Sequence, residues 1–446
     1  MAASISKLIG WFKDRSAGHS AIEPSIRAFE AASASGRWPE ASNMPSLQAA
    51  IMFGRQRIGD RAEYLVANSP HAAGMTRALV SGIAGTGHLL NTRDPEIDRN
   101  FKRWSKRATV DGRSLASLQA SVARDVVVRG EAFVVIRFVD GKILLQQIDP
   151  KQVDSSRSEE LPGGSRIVAG VEIDTEGRRV AFWILPSRPG DPFAEVEPAK
   201  RVPADEVLHI FDPQTADQVR GISWFHAAAT RLVEIDQLED AQLVRTKIAA
   251  MLAGFVRSTG GTNPLPEQNG SLTFEPGTIS FLPPDADIVF SDPANVGDTP
   301  AFLKSMLKSV AASIGLSYEL ATGDLRDVNY SSYRAGHLEF RRKAALWQQE
   351  LIVHRLLDPI YRRWALIEAL HGRPIDLDID AEWLAPPWGM IDPAKEIGAE
   401  ISAVEARLKS RREVIASRGR DPDSVLAEIE NDLPPETKGS THAHDV

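Results

Sequence analysis

Cysteine is absent from the 446-residue sequence. Disulfide bonds, thiolate metal sites and a cysteine nucleophile are therefore excluded, and the composition fits assembly in a reducing cytoplasm. Long apolar runs are also missing, because the longest, around residues 248–256, is far shorter than the roughly 20 residues of a membrane helix. The N-terminal apolar stretch is too short and too interrupted for a signal peptide. We expect a soluble protein with no membrane partner that stays in the cell that made it.

A surplus of positive charge is missing as well. The chain has 52 Lys and Arg against 60 Asp and Glu, a net charge of −8. A protein that grips nucleic acid by neutralising phosphates should instead be basic, because released counterions drive that binding. If the protein meets DNA, we expect the DNA to slide along it.

A nucleotide-binding loop is also absent. A motor that hydrolyses ATP needs a glycine-rich loop ending in Gly-Lys-Ser or Gly-Lys-Thr to hold phosphates. Gly82, Gly85 and Gly87 resemble such a loop only by content, since no lysine follows them. We interpret them as the residues of a turn.

Metal-ligand spacing is lacking among the ten histidines. His337, His354 and His371 are 17 residues apart, which is not the spacing of a metal site. The sequence therefore predicts no catalytic residue, no metal site and no cofactor.

The first half of the chain predicts an α+β region. The helical pattern of residues 46–83 is broken at residues 68–70, and a second helix covers residues 117–129. Alternating and β-branched runs then predict two hairpins and a short strand, at residues 132–139 with 142–148, residues 170–174 with 180–185, and residues 207–211.

The second half predicts long helices around a small β insert. Residues 224–256 form a long amphipathic pattern, and Thr299 and Pro300 mark the start of a helix that runs to residue 314. The remaining predictions are strands at residues 272–274, 278–282, 287–290 and 375–379, and helices at residues 332–370, interrupted or kinked at Pro359, and 393–418.

The densest polar cluster is residues 322–334. Asp324 and Asp327 allow two interpretations, a pair of metal-binding carboxylates as in nucleases or acidic residues at the positive end of the following helix. Asn329 and the serines after it are capping residues, which favours the second interpretation. No third acidic ligand stands at an interpretable spacing.

Four cations on that helix form a second candidate, a basic face consisting of Arg334, Arg341, Arg342 and Lys343. A solvated face or ion pairs between subunits is the default interpretation, and phosphate contact is the alternative.

At this cluster the sequence resembles the lambda family of phage portal proteins. The resemblance lies in residues 318–325 (YELATGDL), 327–332 (DVNYSS), 334–336 (RAG) and 339–342 (EFRR). Further matches follow in order along the chain, among them residues 67–72 (ANSPHA), 130–133 (GEAF), 202–209 (VPADEVLH), 220–224 (RGISW) and 382–383 (EW). The resemblance covers roughly residues 45–430.

The resemblance implies a portal-type α+β subunit that assembles as a ring. Its parts would be a flexible N-terminal arm (1–45), an α+β wing (46–222), a stem helix (223–253), a clip (254–298), a second stem helix (299–314), a tunnel loop (315–331), a long backbone helix with a returning wing segment (332–391), crown helices (392–432) and a disordered tail (433–446). Within the tunnel loop, the residues that would face or gate DNA are Asp324, Arg326, Asp327, Asn329 and Tyr330.

The function that the resemblance implies is structural. A ring, usually of twelve subunits, would sit at one capsid vertex of a virion assembled in a bacterial cytoplasm, and double-stranded DNA would pass through it. Its partners would be the terminase large subunit, the major capsid protein and the neck or adaptor proteins. The alternatives are another head-neck adaptor or scaffold, and a packaging nuclease or ATPase.

Overall fold

The computed structural model describes residues 46–193, 197–250, 254–258, 286–290, 299–326, 329–373, 375 and 381–432. Two compact units divide the chain, residues 1–54 with 213–220 and the remainder. In the first unit the described loop is held by Gln218, whose side chain accepts the N–H of Gln214 at 2.6 Å and donates to the carbonyl of Arg220 at 2.8 Å. The second unit contains the elements that the following paragraphs discuss.

Helices and strands mix along the whole described chain, which makes the fold α+β. The helices are α1 (Leu47–Asn68), α2 (Pro70–Ala84), α3 (Pro95–Ser105), α4 (Leu115–Arg129), α5 (Ala229–Ala250), α6 (Thr299–Ser313), α7 (Tyr318–Thr322), α8 (Tyr330–Trp347), a π-helical segment (Gln348–Leu357), α9 (Asp358–Leu370), α10 (Pro393–Glu405), α11 (Arg411–Ser417) and α12 (Pro422–Asp432).

Four antiparallel sheets lie between the helices in the described residues. The strands are β1 (Leu89–Asn91), β2 (Glu131–Val139), β3 (Lys142–Ile148), β4 (Glu159–Glu160), β5 (Arg166–Val168), β6 (Val171–Ile173), β7 (Arg179–Ile184), β8 (Lys200–Pro203), β9 (Val207–Phe211), β10 (Gly254–Ser258), β11 (Ala286–Phe290) and β12 (Glu382–Leu384). Their orders are β3-β2-β9, β4-β5-β6-β7-β8, β1-β12 and β10-β11.

The main core forms where α2 and α4 pack together and where the long helix α8–π–α9 crosses them. Gly82 shows how closely the helices approach, since a Cβ there would lie 2.5 Å from the ring of Phe340 on α8. The buried side chain of Gln348 donates to the carbonyl of Gly82 at 2.8 Å. The prediction that Gly82 belongs to a turn was therefore wrong, because this glycine lies inside α2 and leaves room for Phe340.

An ionic cluster is buried beside the β3-β2-β9 sheet. Glu131 is 1% exposed and accepts hydrogen bonds from Arg55 at 3.0 Å and from the backbone N–H of Gly221 at 2.9 Å, and it pairs with His209 at 3.0 Å. The His209 ring stacks on Phe133 with centroids 4.2 Å apart. Because both carboxylate oxygens are satisfied, the charge is tolerated in this interior.

A second charged cluster joins α4 to the start of the β-rich region. Arg129 at the end of α4 pairs with Glu63, Asp125 and Asp149. Burial raises the pKa of Asp125 to about 6, although Arg129 and a hydrogen bond from Gln147 act in the opposite direction. Desolvation therefore outweighs the ion pair at this carboxyl.

Several predicted boundaries needed correction. The helix predicted over residues 224–256 ends at Ala250, and residues 254–258 form strand β10 instead. The helix predicted over residues 393–418 is two helices, because Arg407, with a φ of 58°, interrupts the helical conformation between α10 and α11. The loop predicted from residue 315 contains the short helix α7.

Pro359 does not interrupt the long helix, which continues from Tyr330 to Leu370. A proline has no N–H to donate and crowds the carbonyl four residues earlier. The π-helical segment immediately before it avoids that conflict by hydrogen-bonding over five residues, as the Asp358 N–H does to the Val353 carbonyl.

Other predictions fall outside the described residues. These are the arm at residues 1–45, the tail at residues 433–446, the strands at residues 272–274 and 278–282, and all but Ile375 of the strand at residues 375–379.

Candidate functional site

Helices α5 and α6 lead into the candidate site as an antiparallel pair. Arg231 donates to Ser309 at 3.0 Å, and Gln242 donates to Thr299 at 3.3 Å, so the end of α5 lies beside the start of α6. Strands β10 and β11 pair antiparallel beyond these ends. We call residues 229–313 the helical hairpin.

Exposed apolar side chains follow the far half of the helical hairpin. Leu232 and Ile235 near the start of α5 are fully buried, whereas Leu243 and Val244 are 53% and 54% exposed. Phe302 on α6 is 57% exposed. The far half of each helix thus keeps large apolar side chains in water.

The candidate loop begins where the helical hairpin ends. Gly315 has a φ of 85°, and a Cβ at this position would lie 2.9 Å from the ring of Trp347. Helix α7 follows, capped by Ser317, and Gly323 ends it in the left-handed conformation with a φ of 73°. The loop thus leaves α7 through a left-handed backbone conformation, which glycine adopts more easily than other residues.

Asp324 and Arg326 form an ion pair within this loop. Two guanidinium nitrogens of Arg326 donate to the two oxygens of Asp324 at 2.9 and 3.0 Å, and the Tyr318 hydroxyl donates to the same carboxylate at 3.2 Å. These hydrogen bonds hold the pKa of Asp324 well below its usual range. The Arg326 side chain is 87% exposed, so the pair presents opposite charges together at the surface.

Asn329 and Tyr330 form the junction between the loop and α8. The Asn329 side chain accepts the N–H of Ser332 at 2.8 Å, which confirms the predicted cap. The Tyr330 ring is 45% exposed, and the ammonium of Lys395 lies 5.5 Å from its centroid. Asp327, the fifth predicted loop residue, lies outside the described residues.

Two lysines near the loop escaped sequence reasoning. The ammonium groups of Lys304 and Lys308 on α6 lie 5.4 and 5.9 Å from the ring centroid of Tyr318. Their spacing of four residues on one helix face is a signal that could have indicated them.

The four cations of the predicted basic face do not share one surface. At about 100° per residue, Arg334 and Arg341 lie on one stripe of α8, and Lys343 lies on the opposite side. Arg342 is exposed and has no ion pair among the described residues, whereas Lys343 pairs with Glu339 at 3.8 Å. Only part of the predicted face is therefore available to a partner.

Arg341 is occupied by the segment after β12. Its guanidinium lies 5.5 Å from the ring centroid of Trp388 and donates to the carbonyl of Gly389. Hydrogen bonds from the backbone N–H groups of Ile391 and Asp392 lower the pKa of Glu396 at the start of α10. The positive charges of Arg341 and Arg334 lower it further. The start of α8 is thus held against the start of α10.

The described residues contain no group of three or more carboxylates and histidines able to hold a metal ion. None of the described helices combines the length and apolar character needed to cross a membrane. What the arrangement offers chemically is hydrogen bonding and paired charge at an exposed loop.

Comparison with known proteins agrees with the resemblance seen in the loop. The model of a family described as phage portal protein, lambda family, matches residues 35–348. The chain is 28% identical over 438 residues to the probable portal protein of Halomonas phage phiHAP-1. This alignment covers 89% of this chain and 83% of that protein. It is 23% identical over 459 residues to portal protein B of Escherichia phage lambda, covering 86% of this chain and 84% of that protein. Among solved structures, a chain in the neck of an empty gene transfer agent particle has 15% identity and a TM-score of 0.45, covering 87% of this chain and all of that one.

Proposed function

Because the chain belongs to the lambda family of phage portal proteins, we propose that it forms a ring at one capsid vertex of a virion. Double-stranded DNA is packaged and ejected through this ring, which assembles in the cytoplasm of the bacterial host. The ring consists of about twelve copies, docks the terminase large subunit, joins the major capsid protein, and later carries the neck or adaptor proteins. The role is structural, as it is for the family.

The family match carries this proposal, since it spans the helical hairpin and the loop. In this assignment, the parts described up to Ile222 are the wing, α5 and α6 are the stem, and β10 with β11 belongs to the clip. The long helix α8–π–α9 is the backbone helix, and α10, α11 and α12 form the crown.

The exposed apolar side chains of the helical hairpin support the ring. Leu243, Val244 and Phe302 are all more than half exposed. Packing the hairpins of neighbouring subunits side by side would remove this apolar surface from water, which is favourable at about 25 cal/mol per Å². A ring provides such a neighbour on each side of every subunit.

The loop residues Asp324, Arg326, Asn329 and Tyr330, together with Asp327, face the DNA channel in this proposal. The ion pair of Asp324 and Arg326 leaves little net charge where phosphates pass. The chain as a whole is acidic, with a net charge of −8, so the channel repels phosphates more than it binds them. Arg334 and Arg342 on α8, both exposed, are the remaining candidates for a phosphate contact.

The proposal is tested by the mass and symmetry of the purified full-length chain. We expect rings of about a dozen subunits with an open central channel in negative-stain micrographs and in native mass spectra. The variant Leu243→Glu with Val244→Glu should shift the mass toward the monomer, because it places charge on the proposed subunit contact. The matched control is Phe138→Glu, which changes an exposed apolar residue outside the helical hairpin. This variant should leave the rings intact.

A monomer or small dimer that never forms rings, even at high concentration or with capsid protein present, would contradict the proposal. The scaffold alternative would then be preferred.

A further inference from the structure

Helix α5 contacts α6 through one side and turns another side to water. Arg231 and Gln242 bond to α6, and they share one side of α5 because eleven residues make about three turns. The opposite side carries exposed residues at helical spacing, which are Val233, Gln237, Asp240 and Val244. We call these four residues, with the exposed Glu234 beside them, the outer face of α5.

The outer face of α5 is acidic. Glu234 and Asp240 are exposed and have no ion pair among the described residues. The other two carboxylates of the helix are hydrogen-bonded at the start of α2. Lys247 is also exposed, but it lies about 10 Å beyond Asp240 along the helix. The middle of the outer face therefore carries uncompensated negative charge.

The exposed side of α6 has the opposite charge. Helix α6 contains two lysines, Lys304 and Lys308, and no acidic residue. Its exposed residues at helical spacing, which we call the outer face of α6, are Ala301, Ser305, Lys308 and Ala312.

Lys308 is available to a carboxylate from outside the chain. Its side chain is exposed and has no ion pair with any residue that the structure describes. The ammonium lies 5.9 Å from the ring centroid of Tyr318, a contact that leaves its N–H donors free for an anion. The two outer faces are thus complementary in charge.

The two hydrogen bonds between α5 and α6 fix which residues of the hairpin are level. At about 1.5 Å per residue, they place Glu234 level with residues 306–307 of α6. In a ring whose axis runs along the hairpin, rotation from one copy to the next changes no height. Glu234 of one copy then lies within about 3 Å, measured along the axis, of Lys308 in the next copy.

We infer that the outer face of α5 in one copy packs against the outer face of α6 in the next copy, with an ion pair between Glu234 and Lys308. The two faces differ, so the contact is heterologous, and such contacts close into a ring when the rotation between copies allows it. Opposite charges also fix the register of the two helices. The inference rests on the proposed ring and specifies one of its contacts.

Mixing two full-length variants tests this ion pair. Glu234→Lys and Lys308→Glu each place like charges at every contact when used alone. Each should therefore raise the concentration at which rings dissociate by on the order of tenfold or more. An equimolar mixture should recover rings, because alternating copies restore opposite charges at every contact of an even-numbered ring. Native mass spectra of the mixed rings should show equal numbers of the two chains.

The matched control is Glu350→Lys, which changes an exposed acidic residue outside the helical hairpin. Alone, it should form rings as readily as the unmodified chain. Its mixture with Lys308→Glu should recover rings less well than the mixture that contains Glu234→Lys. The reason is that each contact made by α6 of the Lys308 variant would still join two carboxylates.

A cysteine pair tests the same contact without a change of charge, because the chain has no cysteine. Gln237→Cys with Ser305→Cys should give, on mild oxidation, a ladder of covalent oligomers up to the size of the ring. Gln237→Cys with Ala312→Cys is the matched control, since Ala312 lies about 10 Å further along the same face of α6. This control should cross-link at background level.

Failure of the contact and failure of the ring are distinguishable. If the unmodified chain forms rings but the two cysteine variants cross-link equally, the packing of the faces is wrong and the ring stands. If Glu234→Lys and Lys308→Glu form rings as readily as the unmodified chain, or lose them without recovery on mixing, the ion pair is wrong. If the unmodified chain forms no rings, the proposed function fails and the contact fails with it.

Discussion

The buried cluster around Glu131 and the surface pair of Asp324 and Arg326 use the same chemistry in opposite surroundings. Glu131 is 1% exposed and binds Arg55, His209 and a backbone N–H. Arg326 is 87% exposed and pairs with the carboxylate of Asp324. The charges around Glu131 are buried in the core, whereas water competes for the contacts of Arg326.

The difference indicates which charges the fold depends on and which are available for function. Removing one partner of a buried ion pair leaves an uncompensated charge in the interior. Removing one partner of an exposed pair costs little, because water replaces it. The fold therefore depends on the cluster much more than on the loop pair.

The largest effect is expected at Glu131. Glu131→Ala should lower the free energy of unfolding by about 3–5 kcal/mol, because Arg55 and His209 would remain buried without this carboxylate. Urea unfolding followed by tryptophan fluorescence measures this change. Glu131→Gln keeps a hydrogen-bond acceptor, so its free energy of unfolding should lie between those of Glu131→Ala and the wild type.

The matched control is Glu382, which pairs with Arg93 at 4.0 Å and is 58% exposed. Glu382→Ala should change the free energy of unfolding by at most about 1 kcal/mol. Similar losses for the two alanine variants would contradict the contrast between buried and exposed charge.

An intermediate effect is expected at Asp125, and it depends on pH. Burial raises its pKa to about 6, above the value of about 3.9 in an unfolded chain. The native state therefore holds a proton more tightly, and the stability this provides is lost as pH rises through 6. Asp125→Asn cannot ionise, so it should match the wild type near pH 4 and be more stable at pH 7.5, by on the order of 2 kcal/mol.

Asp111 provides the opposite sign for comparison. Its pKa is lowered, first by the hydrogen bond from Thr109, so its contribution is present at neutral pH and lost in acid. Asp111→Asn should therefore lose stability relative to the wild type at pH 7.5. If Asp125→Asn behaved in the same way, the attraction of Arg129 would outweigh burial.

The smallest effect on stability is expected at Asp324. Asp324→Asn should lower the unfolding midpoint only slightly at neutral pH, because the guanidinium of Arg326 is 87% exposed and water can replace its partner. Rings of this variant should nevertheless retain double-stranded DNA more strongly at low salt, since the loop loses one negative charge and the binding of phosphates then depends more steeply on salt. Adding Arg326→Gln should return DNA retention to the wild-type value. Unaltered DNA retention in the single variant would argue against a channel position for this loop.

The sequence predicted the elements whose signals are local. The proline after Ser69, the Asp140–Gly141 turn and the Asn329 cap each lie where they were expected. Helix α3 was missed although its signals are local, since Asp94 caps it, Pro95 begins it, and Ile97, Phe101 and Trp104 recur at helical spacing. Strand β8 was missed because it is short and almost entirely exposed, which leaves no alternating apolar pattern.

The candidate site was predictable as a segment but not as an arrangement. The loop residues stand together in the sequence, and the structure describes four of them, two as an ion pair and two at the start of α8. The positions of Lys395 on Tyr330 and of Trp388 against Arg341 depend on chain segments more than 45 residues away. No local pattern encodes such a contact, whereas the division of the basic face follows from helical spacing and could have been predicted.

The π-helical segment has a consequence for the whole of the long helix. Buried residues recur every four positions through it, at Phe340, Ala344, Gln348, Ile352, Leu356, Ile360 and Trp364. An α-helix advances about 40° over one full turn in four residues, so this stripe would wind away from the core if the helix were α throughout. The wider turns of the π segment cancel that drift and keep both ends of the stripe in phase. Loss of one residue between Gln348 and Leu357 would turn the stripe of α9 by roughly a quarter turn, so the length of this segment is as constrained as its composition.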